Sequence, residues 1–440
     1  MYKNQKTVHT KVFFLFNAML WFVSLFGQTP DFNFHHLTTA QGLSDPTVRC
    51  ATRDQYGFMW FGTYNGLDRY NGYDVKVFQH DPKDSFSLPD NNIAGLFCDG
   101  GGNLWVSSSS GIYKYDYSDA HFIFQPGSDA FKAGKMVQGL DDIIYIATSK
   151  GLVLFNVKAG IFTFLFSQAV SDPQDLLKLP VNDFCIGSNT EIWLATNKGL
   201  IVYRKTSRVT ERIEIKELGN RGISNIAIDQ TQSLWISYDD NGARLLKVDS
   251  GLIKKTIYPQ FSGYKTDFAD NKINTVFTDS KGRIWVTTIR LGLFLYDPSA
   301  DDFSQSEYDP LQSMSLASDF LTFLYQDREG FIWIGTGGYG VEYFHPDRNL
   351  FHTIQPSFNQ NPTLPDNWCR AASEDNQGNL WLGTSGGLAK YDVRKQQYTI
   401  FQNTTTTPSI LYSNSIRSIL CDEDKVWIGE NGGLNCYHIS

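Results

Sequence analysis

A large aromatic anchor recurs along this chain at positions 60, 105, 145, 193, 235, 285, 333, 381 and 427, so that successive anchors stand 40 to 50 residues apart. The anchor is Trp in every unit except the third, where Tyr145 takes its place. The first unit runs Asp54, Gly57, Trp60, Gly62, Thr63, then Gly66 and Leu67. The eighth repeats it as Asp375, Gly378, Trp381, Gly383, Thr384, then Gly387 and Leu388. Each unit holds about four short apolar runs separated by turn residues, which reads as four strands. A four-stranded unit at this period is the signature of a propeller blade, and the units lack the periodicity of helical repeats. The fold class expected is therefore all-β, a β-propeller of four-stranded blades.

The recurring letters have structural work to do. An Asp carboxylate accepts backbone N–H groups in the hairpin that precedes the anchor strand. A Gly three residues on takes a positive φ that other residues resist. The Trp wedges between neighbouring blades and buries a large apolar area. These positions are read as scaffold rather than as catalytic groups. Composition agrees: with 15% aromatic residues and 37 Gly, the chain suits short strands joined by tight turns. A net charge of -8 argues against a nucleic-acid partner, which needs a basic surface to displace phosphate counterions. None of the six cysteines forms a CxxC pair, so most are expected to be small core residues, with one disulfide left open.

The N-terminus reads as a secretory signal peptide over residues 1–28. Lys3, Lys6 and Lys11 precede an apolar run from Val12 to Phe26, and a polar stretch follows Gln28. The run is short for a membrane span. An exported, periplasmic protein is expected, with no lipid anchor, because no Cys stands at the junction.

The segment from Gly42 to Pro82, GLSDPTVRCATRDQYGFMWFGTYNGLDRYNGYDVKVFQHDP, resembles the opening blade of the two-component regulator propeller repeat. The connector Asp84 to Ile93, DSFSLPDNNI, is similar to that family's blade connector, and Met314 to Leu321, MSLASDFL, echoes it. The resemblance implies the periplasmic sensor region of a hybrid two-component system of the Bacteroidota. Such sensors carry two seven-bladed propellers, a small β-sandwich, a membrane helix and a histidine kinase. On that reading residues 29–360 form one seven-bladed ring, and residues 361–440 supply the first two blades of a second, incomplete propeller. A single nine-bladed ring is the alternative, although propellers hold about 4–8 blades. The open edge of an unfinished ring awaits a longer chain or a partner, which makes a histidine kinase region or self-association the expected partners. The strand at Phe32–Leu37, FNFHHL, is expected to pair with the last blade and lock the ring.

Ligands of propellers gather on the face that carries the approach to each first strand and the turn between the second and third strands, because loops vary there on a rigid scaffold. The candidate ligand-binding residues are Arg49, Tyr64, Asn65, Asn92, Asn274, Arg290, Tyr339, Trp368 and Arg370. Arg49, Asn274 and Arg370 fall five residues before the repeat Asp position, where a polar residue interrupts an apolar strand and is expected to face the channel. Amides, arginines and aromatics on a concave face hydrogen-bond hydroxyls and stack on sugar rings. The leading function is a sensor of a glycan-derived oligosaccharide. A lyase-type carbohydrate-active enzyme and a protein–protein scaffold are the alternatives. There is no HExxH, GxSxG, P-loop or Cys/His metal spacing, so no catalytic residue, cofactor or metal is assigned. Asp239-Asp240 and Asp301-Asp302 are the remaining cation candidates.

Overall fold

The computed structural model describes residues 32–439 except 140–141, 168–172, 188–190, 220, 240–242, 250–254, 259–271, 313, 349–353, 355–361, 394, 396 and 405–410. Residues 1–28, read above as a signal peptide, and Asp240 lie outside the described residues. What is described is all-β apart from four short 3-10 turns. No helix among the described residues is long and apolar enough to cross a membrane.

Nine antiparallel sheets follow one another along the chain, eight of four strands and a ninth of three among the described residues. The first consists of Val48–Arg53, Met59–Thr63, Leu67–Tyr70 and Val75–Phe78, paired in sequence order. The first strands of the next six sheets are Ile93–Cys98, Ala133–Gln138, Val181–Ile186, Ile223–Ile228, Ile273–Thr278 and Leu321–Gln326. Each sheet packs against the next through these first strands or their hairpin partners, and the seventh packs back on the first. The circuit is closed by the N-terminus. His35–Leu37 is the fourth strand of the seventh sheet, with His36 opposite Glu342 and Leu37 opposite Val341. The expected lock is present, and the adjacent His35 and His36 take opposite sides of the strand: His35 stacks on Tyr343.

The core is a set of inter-sheet layers rather than one centre. Trp60 and Leu67 of the first sheet, for example, pack with Ile93, Leu104, Val106 and Tyr115 of the second. The second strand is covered on both faces in the first two sheets, so Met59–Thr63 and Leu104–Ser108 are buried at every position, whereas Lys425–Glu430 of the ninth sheet is buried only at alternate ones. Trp60, Trp235, Trp285 and Trp381 are fully buried. Each such side chain contributes roughly 4–6 kcal/mol of gross transfer free energy, an upper bound set by its area.

The repeat residues act as expected, with one addition. Asp54 Oδ1 accepts the backbone N–H of Tyr56 and of Phe58 at 2.9 and 3.0 Å. Its other oxygen accepts the Trp60 indole N–H at 2.7 Å, a bond that the letters alone did not reveal. The same indole–carboxylate bond recurs at Trp105, Trp235, Trp285, Trp333 and Trp381. Gly57 turns the hairpin with φ at +90°. Gly62 is required by packing: a Cβ there would stand 2.5 Å from Cys50 Sγ and 2.6 Å from Ile93 Cγ2 of the next sheet.

Candidate functional site

The pairing of first and second strands carries one irregularity in every sheet. The register shifts between Val48 and Cys50, between Ile93 and Gly95, between Val181 and Asp183, and at the corresponding place in the other six. The residue left over is a β-bulge, and a bulge re-aims its side chain away from the ladder. In the first, fourth, sixth, seventh and eighth sheets that residue is Arg49, Asn182, Asn274, Thr322 and Arg370. The polar position recognised in the sequence is therefore the bulge position.

Four of the bulge side chains are spent on the neighbouring sheet. Asn182 Nδ2 donates to Ile223 O at 2.7 Å, Asn274 Nδ2 to Leu321 O at 2.6 Å, and Thr322 Oγ1 to Val48 O at 2.5 Å. Arg49 Nη1 donates to Ile93 O at 3.0 Å. In each case the acceptor is the first residue of the next first strand, so these bulges staple four of the seven junctions of the circuit. Asn274 is thus a staple that also lines a cleft of about 290 Å³ with Ser224, Asn225, Ser237, Tyr238, Asp239, Lys272 and Ile273.

Three candidate residues meet at the junction of the first and second sheets. Arg49 Nη1 donates to Asn92 Oδ1 at 2.6 Å, and its guanidinium lies over the Tyr64 ring, 4.7 Å from the centroid. Asn65, the next residue of the same turn, donates to Ser44 O at 3.2 Å and braces the loop instead of joining the cluster. That turn is rigid because buried Thr63 donates to Gly66 O and accepts the Asn65 N–H. The approach loop is held from below by Asp68, whose Oδ2 accepts both the N–H and the hydroxyl of Ser44 at 3.0 Å. Burial pushes the Asp68 carboxyl up to about 6. Tyr339 is 56% exposed in the matching turn of the seventh sheet, as Tyr64 is at 53% in the first. Phe320 stands exposed at the approach to the seventh first strand. Neither signal for Phe320 nor for the supporting Asp68 was visible in the repeat pattern.

The other candidates lie apart. Arg290 is exposed in the sixth sheet, in a turn where the preceding Ile289 N–H donates to Lys272 O at 3.1 Å. Trp368 and Arg370 form their own pair in the eighth sheet: the guanidinium is 5.9 Å from the Trp368 ring and Nη1 is 3.5 Å from Ser415 Oγ. Trp368 is 69% exposed.

Reactive groups are muted here. Burial pushes the Cys50 thiol, next to Arg49, up to about 12, so it stays protonated. All six cysteines are free. Among the described residues no three His, Cys, Asp or Glu side chains converge as a metal site would need.

The closed circuit of four-stranded sheets, stapled at its bulges and latched by its N-terminal strand, defines a β-propeller. Four segments, residues 42–65, 267–290, 315–338 and 363–386, match the two component regulator propeller family. Those four segments are similar to two component regulator propeller repeats, and they fall on four of the nine units. A stretch of 66 residues is 35% identical to histidine kinase P4 of Formosa agariphila, covering 15% of this chain and 5% of that protein. Among solved structures, the chain is similar to the extracellular domain of hybrid two component system BT3049 from B. thetaiotaomicron, at 20% identity and a TM-score of 0.72, covering 93% of this chain and 53% of that one. The extracellular domain of BT4673 from the same organism aligns at 20% identity and a TM-score of 0.57, covering 92% of this chain and 52% of that one. Virginiamycin B lyase of Staphylococcus aureus aligns at 13% identity and a TM-score of 0.52, covering 72% and 99%. The chain spans about half the length of the extracellular domains it matches. At these identities the solved structures establish the propeller fold.

Proposed function

We propose that this protein is an exported ligand-sensing propeller that binds a glycan-derived oligosaccharide and passes the signal to a histidine kinase region or to a second copy of itself. The observation that carries the reading is the Arg49–Tyr64–Asn92 cluster, built on a braced turn and a bulge, with Tyr339 and Phe320 exposed in the adjoining seventh sheet. A planar cation, an amide and exposed rings on a rigid face suit polyhydroxylated rings. The seven-sheet circuit would be one ring, with the sheets after residue 361 belonging to a second. Export is supported by the basic-then-apolar N-terminus and by the extracellular setting of the similar solved domains. Signalling needs no catalysis, only different affinity of the ligand for two states.

The test is a thermal-shift screen of the purified protein against neutral, carboxylated and sulfated oligosaccharides. Binding of one glycan class, with the glycan recovered intact, raises the melting temperature by mass action and supports the reading. Cleavage of the glycan would instead move the protein to the lyase alternative. Silence across the panel in a folded sample would favour a scaffold.

A further inference from the structure

Arg49 has used only part of its donor set. A guanidinium carries five N–H donors in a planar fork. Nη1 spends its two on Asn92 Oδ1 and Ile93 O, at 2.6 and 3.0 Å. The edge formed by Nε and Nη2 finds no acceptor among the described residues, and no carboxylate among them pairs with Arg49. Arg53, four residues along the same strand, is the contrast: it meets Asp327 at 3.0 Å and Glu329 at 2.7 Å. Arg204 and Arg283 are likewise matched to carboxylates. Arg49 is half-buried, fixed by two hydrogen bonds and a ring, and lacks a counter-charge. Its Nε–Nη2 edge presents two parallel donors, the geometry that takes two oxygens of one anionic group.

We propose that Arg49 determines ligand specificity, and that the ligand bears an anionic group, a carboxylate or a sulfate ester, seated on the Nε–Nη2 edge with a sugar ring against Tyr64. This rests on the ligand-sensing reading above and names the chemical class of the ligand. Asn92 and Ile93 O are positioning groups: they hold the fork in plane so that little side-chain freedom is lost on binding.

The experiment is calorimetric titration of the purified protein with three probes: oligogalacturonate for the carboxylate, carrageenan oligosaccharide for the sulfate ester, and galactobiose as the neutral sugar. One of the two charged probes is expected to bind, with affinity falling as salt rises. Galactobiose is expected to bind about tenfold more weakly or not at all. Arg49→Gln should lose about tenfold to a hundredfold in affinity for the charged probe. Arg49→Lys, which keeps the charge but not the fork, should fall between the two and guards against misfolding of the Gln variant. Asn182→Ala, which cuts an equivalent staple at another junction, should leave affinity unchanged and so separates loss of the cation from loosening of the ring. Galactobiose binding as tightly as the charged probes, or charged-probe binding undiminished in a folded Arg49→Gln, would overturn the proposal while the sensing reading stands. If neither these probes nor any glycan of the wider panel binds, both fall together.

Discussion

The indole Nε1 of Trp60 donates to Oδ2 of Asp54 across a hairpin, 2.7 Å apart and both fully enclosed. One carboxylate thereby ties the turn, through Tyr56 and Phe58, to the wedge that fills the space between two sheets. Asp54→Ala strands four donors: the Tyr56 and Phe58 N–H groups of a tight hairpin, the Trp60 indole and the Tyr117 hydroxyl. It should cost about 2–4 kcal/mol, more than Trp60→Phe would lose through its single N–H bond. Denaturant midpoints measure both. Tyr73→Ala, at an 89% exposed turn position, is the reference and should stay within about 0.5 kcal/mol of the parent. An Asp54→Ala midpoint equal to that reference would refute the assignment.

The N-terminal strand is the latch of the ring. Phe34 is buried against Phe344, 4.9 Å between ring centroids, and its backbone N–H donates to Met314 O at 3.0 Å. Phe34→Ala removes an aromatic from a closed layer and should destabilise by about 3–5 kcal/mol. Because the latch completes the seventh sheet, hydrogen exchange should rise first at Val341–Phe344 and at the staple from Thr322 to Val48 O. Uniform loss of protection across all sheets, with no lead at this seam, would count against a latch.

The staples make a separate prediction. Asn274→Ala deletes the donor to Leu321 O and leaves that carbonyl short of a partner at the junction of the sixth and seventh sheets. The expected cost is about 1–3 kcal/mol. Asn274→Asp keeps the shape but places an acceptor against an acceptor, so it should cost at least as much. A melting temperature for the Asp variant at or above that of the parent would refute the staple.

What the sequence disclosed and what it hid follow from the same physics. The blade period was legible because each unit must make the same hairpin and fill the same gap, which forces Asp54, Gly57, Trp60 and Thr63 to recur as a set. The candidate face was legible at Arg49, Tyr64 and Asn92, since polar and aromatic residues interrupted an apolar pattern. Their meeting was not, because it depends on a bulge, and a bulge is a matter of register that no residue type announces. Asn65 and Asn274 look like Asn92 in sequence, yet they brace a loop and staple a sheet; only the position of the acceptor tells them apart. Glu342 was hidden for a different reason. By strand alternation it reads as an outward-facing carboxylate, and it is buried only because the connector at Ala317 and the N-terminal strand close over it.

That burial gives the last prediction. Glu342 sits in the third strand of the seventh sheet with its side chain fully enclosed. Its Oε1 accepts the Ala317 N–H at 2.6 Å and lies 3.9 Å from His36 Nδ1 of the latch strand. Burial pushes its carboxyl up to about 8, against the counteracting Ala317 bond and with nearby Asp319 adding to the rise. Between the ordinary value of 4.5 and about 8 the folded protein holds a proton that the unfolded chain has released. Fewer protons bound in the unfolded state means that stability falls as pH rises through this window. Asp68, raised to about 6, adds to the fall over its lower part. The Glu342 contribution is on the order of a few kcal/mol, complete above the folded value. Glu342→Gln keeps an acceptor for Ala317 and cannot ionise, so its melting temperature should exceed the parent's at pH 8.5 and converge with it near pH 4.5. Parallel profiles for the two proteins across that range would mean that Glu342 is already ionised in the folded state.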